Sequence, residues 1–156
     1  MRYKPMLHSE ENKRFFLTES FSGFMDFMRE IDAVAESPMV IMETQISGEL
    51  SKFDSTDYVV YFFCKAETQG DGRAAKHAAL ESKSHMKNFV TYLREDIKKK
   101  PNHPFRKMNV ENIRYQPIGP LYDHWYGCYI EFEDVQQLNH CVDESLYIPL
   151  KDCTCQ

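Results

Sequence analysis

Between residues 24 and 35 the apolar side chains return at steps of three and four: Phe24, Phe27, Met28, Ile31, Val34 and Ala35. That spacing lines one face of a helix. Asp26, Arg29, Glu30 and Asp32 fall largely between them. Ser20 and Ser22 are the candidate N-caps. Ser37-Pro38 predicts the stop, because the residue before a proline avoids the α region. The period then changes. Met39-Val40-Ile41-Met42 is a short continuous apolar run, and with Ile46 and Leu50 it predicts a strand over 39–50, bent or bulged at Gly48. Phe53-Asp54-Ser55-Thr56-Asp57 reads as a turn. Tyr58-Val59-Val60-Tyr61-Phe62-Phe63-Cys64 is β-branched or aromatic and apolar at both alternating positions. It predicts a central strand covered on both faces.

The second half repeats this order. Residues 67–72 predict a loop, with Asp71 as the N-cap of a long helix over 73–99. The apolar stripe of that helix is Ala75, Ala78, Ala79, Met86, Phe89 or Val90, Leu93 and Ile97. Lys98-Lys99-Lys100 suits the negative end of the helix dipole, and Pro101 and Pro104 stop the helix. A strand over 110–117 follows, broken by Pro117, Gly119 and Pro120. A last strand over 126–132 points Tyr126, Cys128, Ile130 and Phe132 one way and Tyr129 and Glu131 the other. Residues 1–19 read as an arm, 20–135 as the core and 136–156 as an irregular tail, in one domain over 1–156. The order αββαββ predicts an α+β fold. Short turns between adjacent strands imply antiparallel pairing. The expected architecture is a two-layer sandwich, an antiparallel sheet of about four strands with two helices on one face.

Composition narrows the function classes. The formal net charge of −5 disfavours a non-specific grip on nucleic acid or anionic lipid. No stretch approaches the roughly 20 apolar residues of a membrane span. The basic start Met1-Arg2-Tyr3-Lys4-Pro5 has no apolar core behind it, so no secretory signal is expected. The five cysteines, Cys64, Cys128, Cys141, Cys153 and Cys155, are odd in number and irregular in spacing. They predict reduced thiols in a cytoplasm rather than a disulfide framework.

Candidate chemistry is sparse. His140-Cys141 and Cys153-Thr154-Cys155 offer soft ligands, but not at a standard zinc spacing, so no metal is expected. His77 and His85 share a side of the long helix but are separated by about 12 Å of rise, too far for one ion. His124 beside Asp123 is the one imaginable acid–base pair, although adjacent residues seldom point into one site. Gly70-Asp71-Gly72 lacks the third glycine and the lysine of a phosphate loop. Lys98-Lys99-Lys100 with Arg106 and Lys107 reads as a solvated helix end. No catalytic, cofactor-binding or metal-ligating residue is assigned, and no enzyme is predicted. Ile118 to Gly127 is the unusual segment, aromatic yet punctuated by glycine and proline. Its Leu121, Tyr122, Trp125 and Tyr126 either pack back on the sheet as a hairpin corner or are the expected protein-interaction residues, because aromatics in exposed turns are enriched at binding hot spots.

The stretch Ile113-Arg114-Tyr115-Gln116-Pro117-Ile118-Gly119-Pro120-Leu121-Tyr122-Asp123-His124-Trp125-Tyr126-Gly127-Cys128-Tyr129-Ile130-Glu131-Phe132, with the strand 58–63 and its long following helix, resembles the tail-terminator and head–tail joining proteins of long-tailed phages and prophages. The resemblance spans residues 20–135 and rests on element order and the closing hairpin. It implies a structural, non-enzymatic subunit that assembles as a homo-oligomeric ring. Such a subunit caps a tail tube or joins it to the head. The partners it implies are a tail-tube or head-connector protein, with no membrane and no sequence-specific nucleic acid. The implied location is the cytoplasm of a bacterial host, and the virion where the gene is of phage origin. The competing expectation is a small intracellular adaptor that binds a protein through the 117–127 turn.

Overall fold

The computed structural model describes residues 9–18, 24–43, 48–50, 53–103, 106, 108, 110–111, 113–122 and 124–137. In chain order they form β1 (Lys13–Thr18), α1 (Phe24–Ile31), β2 (Ala35–Glu43), β3 (Gly48–Leu50), β4 (Phe53–Lys65), α2 (Gly72–Lys99), β5 (Arg114–Leu121) and β6 (Trp125–Gln137). The apolar run 58–64 lies in β4, the axis of the fold. β4 pairs antiparallel with β2 on one side and with β6 along its full length on the other, from Phe53 opposite Gln137 to Lys65 opposite Trp125. The five-strand path is β1-β2-β4-β6-β5, and short β3 pairs with the first part of β4.

The α+β class holds, but three features differ from the expected sandwich. First, the arm contributes β1, which pairs parallel with β2 through the α1 crossover, so the sheet is mixed and has five strands in its main path. Second, residues 53–57 are strand. Their turn-forming composition yields to pairing with β6 across the sheet. Third, the helices lie on opposite faces. Along β4, Val60 and Phe62 face a cluster with Met86 and Val90 of α2, while Tyr61 and Phe63 face Phe24, Met28 and Ile31 of α1. A strand that is apolar at every position needs two covers, and each helix supplies one.

Boundaries moved for local reasons. α1 ends at Ile31, not at Ser37, and β2 starts at Ala35 with Pro38 inside it. Proline is tolerated there because the β1–β2 register shifts between Lys13 and Phe15, and the Arg14 guanidinium bonds the carbonyls of Ser37 and Pro38. β5 runs through Pro117 and Pro120 because, among the described residues, it is an edge strand paired on one side only. α2 matches its expected span, with the Asp71 carboxylate accepting from the Arg73 N–H at 2.9 Å. β6 continues to Gln137, past the expected end of the core. The candidate caps Ser20 and Ser22 and the tail from 138 onward lie outside the described residues.

Gly127 sits where β6 crosses β4 and α1's aromatic cluster begins. A Cβ there would collide with the Phe62 carbonyl oxygen and the Phe63 ring. Glycine is therefore a packing requirement of this strand crossing.

Candidate functional site

The aromatic segment is the β5–β6 hairpin, and it folds back on its own chain. Trp125 is fully buried against Phe24, Met28 and Phe63. Its Nε1 donates to Asp32 Oδ1 at 2.6 Å, and His124 Nε2 lies 2.8 Å from the same oxygen. Lys65 Nζ is 3.9 Å from Asp32 and 5.2 Å from the centroid of the Trp125 ring. Burial alone would raise the Asp32 carboxyl. The hydrogen bonds from Trp125 and His124, with the charges of His124 and Lys65, outweigh it and hold Asp32 below its ordinary value. His124 thus finds its acid in Asp32, from the far end of the chain. Asp123 lies outside the described residues.

The four expected interaction residues do not make one surface. Leu121 and Tyr122 are half-buried against the α1-side cluster, where the Tyr122 hydroxyl donates to the Met25 carbonyl at 2.7 Å. Tyr126 packs on the other face, beside Cys64, Ala66 and Ala78. Trp125 is corrected from docking residue to core residue. The turn formers place the chain reversal at the surface as expected, but the following strand begins at Trp125, and alternation drives its side chain inward. The indole N–H meets a carboxylate there, which is what allows a tryptophan to be wholly buried.

A second constellation lies on the α2 side, at the end of β4. Ser37, Lys65, Glu67, His77 and Glu81 border a cleft of about 640 Å³. The Lys65 N–H donates to Ser37 Oγ at 3.0 Å and ties β2 to β4 at its rim. Glu81 joins this cleft to the interior, where its carboxylate, the Cys64 thiol and the His85 imidazole lie with their donor atoms within 4.8 Å of one another. His85 Nε2 is 3.7 Å from Glu81 Oε1, and His77 Nδ1 is 4.0 Å from Glu81 Oε2. Burial, with the Glu81 charge second, pushes the Cys64 thiol up to about 12. The thiol is therefore protonated at neutral pH and is no nucleophile in this state. Burial also lowers His85, against the pull of Glu81, so its imidazole is neutral. Next to them Ser82 Oγ donates to the Phe62 carbonyl at 2.9 Å and lies 3.5 Å from Cys128 Sγ.

A scan against protein-family models finds no match, and a search of curated protein sequences finds no similar protein.

Sequence spacing did not show the Cys64–Glu81–His85 group, because one member comes from a strand and two from a helix. Glu81 and His85 stand at i, i+4 on the long helix, outside its expected apolar stripe. His85 and Ser82 are in fact buried on the inner face of α2. The basic stretch is partly neutralised. Lys99 pairs with Glu95 at 3.1 Å and Lys100 with Asp96 at 2.8 Å. Cys141, Cys153 and Cys155 lie outside the described residues. Among the described residues no helix is long and apolar enough to cross a membrane.

Proposed function

We propose that this chain is a self-associating structural subunit of the kind that caps a phage-like tail tube or joins it to the head as a ring. The observation that carries this reading is the exposed apolar pair Phe15 and Leu17 on β1, a strand at the end of the sheet path. In the parallel register Phe15 stands beside Val40 and Leu17 beside Met42, which places both on the α2 side of the sheet. They are 43% and 55% exposed. An exposed edge strand with large apolar side chains is a template for association.

A ring needs a head-to-tail contact, in which one surface of a subunit meets a different surface of the next. The opposite edge offers such a surface. Met86, Val90, Ile113 and Tyr115 line a groove of about 270 Å³ between α2 and β5, with Lys87 and Arg94 beside them. β5 is poorly suited to direct strand pairing, since Pro117 and Pro120 lack the N–H donor. Side-chain insertion of Phe15 and Leu17 into this groove fits both edges. With Trp125 in the core, docking through the 117–127 turn loses its main anchor in the ring reading and in the adaptor reading alike.

The test is association in solution. Light scattering across rising concentration, alone and with a tail-tube or connector protein, is expected to show oligomers larger than a dimer. A strict monomer under both conditions overturns the ring reading.

A further inference from the structure

We propose that Cys64, Glu81 and His85 form a zinc site at the inner end of the cleft between β4 and α2. The three donors are a sulfur, a carboxylate oxygen and an imidazole nitrogen, the set that a borderline-soft ion of this kind takes. They sit on rigid elements, Cys64 in β4 and the other two on adjacent turns of α2. The 3.7 Å between His85 Nε2 and Glu81 Oε1 is close to the roughly 3.3–3.5 Å that separates two ligands of a tetrahedral zinc ion. The whole donor set spans no more than 4.8 Å. To meet one ion the donors must draw together by up to about an ångström, which the partly exposed Glu81 side chain can supply by moving.

Charge favours the same ion. A divalent cation held by one thiolate and one carboxylate is neutral as a unit, so it can be buried without an unpaired charge. Binding breaks the Cys64 S–H bond, forms a sulfur–zinc bond and releases the proton to water. Three protein donors leave a tetrahedral ion one open site, which a water molecule would take. The proposal does not depend on ring assembly.

Cobalt is the probe, because its visible bands report geometry and its near-ultraviolet charge transfer reports thiolate ligation. The full chain is first given Cys141→Ser, Cys153→Ser and Cys155→Ser, which removes the thiols of the tail. Titration with Co²⁺ is expected to produce a charge-transfer band and tetrahedral visible bands that saturate at one equivalent and are bleached by Zn²⁺. Glu81→Gln, a change at a partly exposed position, is expected to weaken binding about tenfold or more. Cys64→Ser is expected to abolish the charge-transfer band, and Cys128→Ser to retain it. Circular dichroism reports whether Cys64→Ser is folded; where it is not, Glu81→Gln decides alone. A chain that shows no charge-transfer band, or one that binds equally well with Glu81→Gln, overturns the site.

Discussion

The two faces of the sheet are covered in different ways. On one, α1 has only 8 residues, yet Tyr61, Phe63 and Trp125 beneath it are buried. There Phe16 of β1 meets Phe27 of α1 edge-to-face at 6.2 Å, and Trp125 is locked by Asp32. On the other, α2 has 28 residues and packs on β4 and β6. The short helix succeeds because it brings aromatic volume and a polar clamp. On the side of the long one Phe15 and Leu17 are exposed, and that helix buries polar groups of its own, Ser82 and His85. Helix length is thus a poor guide to how well a face is closed; side-chain volume and hydrogen-bond partners decide it.

The largest effects should come from the anchors of the two faces. Trp125→Ala and Phe62→Ala are each expected to cost about 3–5 kcal/mol, the transfer-plus-cavity penalty of a buried aromatic. Leu93, only partly buried on α2, should cost about 1–2 kcal/mol on truncation. Chemical denaturation measures all three. A loss below about 1 kcal/mol for Trp125→Ala would break the comparison and return the indole to the surface.

The clamp on the closed face gives the next effect. Asp32→Ala leaves the Trp125 N–H without its acceptor and should cost about 1–3 kcal/mol. The same clamp makes stability depend on pH. The Asp32 carboxyl lies lower in the folded chain than in the unfolded one, so its contribution is present above the unfolded value, about pH 4, and is lost as pH falls through the folded value. Melting temperature followed downward from pH 5 should fall less steeply in Asp32→Ala than in the wild type. Parallel curves would mean that the carboxylate contributes nothing.

The smallest effect belongs to the polar layer under α2. Ser82→Ala removes the bond to the Phe62 carbonyl, which keeps its ladder position, so a loss of about 1 kcal/mol is expected in the same denaturation series. A loss as large as that of Phe62→Ala would show that the long helix depends on this bond more than on its apolar stripe.

Much of this fold was legible in the chain. Periodicity located α2 almost to the residue, and continuous apolarity marked 58–64 as a strand covered twice. The same observation already required helices on both faces; placing them on one face left half of that strand without cover. What local composition hid was long-range. Residues 53–57 look like a turn until β6 is beside them, and β1 is polar enough to read as an arm until β2 offers a parallel partner. The site was harder still. Asp32 and Trp125 meet across 93 positions, and Cys64 meets Glu81 and His85 only after α2 has folded over β4. Leu121, Tyr122, Trp125 and Tyr126 were chosen for residue type in a turn, and strand alternation then divided them between the two faces.

Association through the exposed pair on β1 is the central claim, and sedimentation velocity of the wild type beside the double variant Phe15→Asp, Leu17→Asp tests it most directly. Both side chains are exposed in the isolated chain, so the variant should keep its melting temperature within a few degrees. The wild type is expected to form oligomers as concentration rises, and the variant to remain monomeric over the same range. Identical sedimentation of the two proteins, oligomeric or monomeric, would contradict the account.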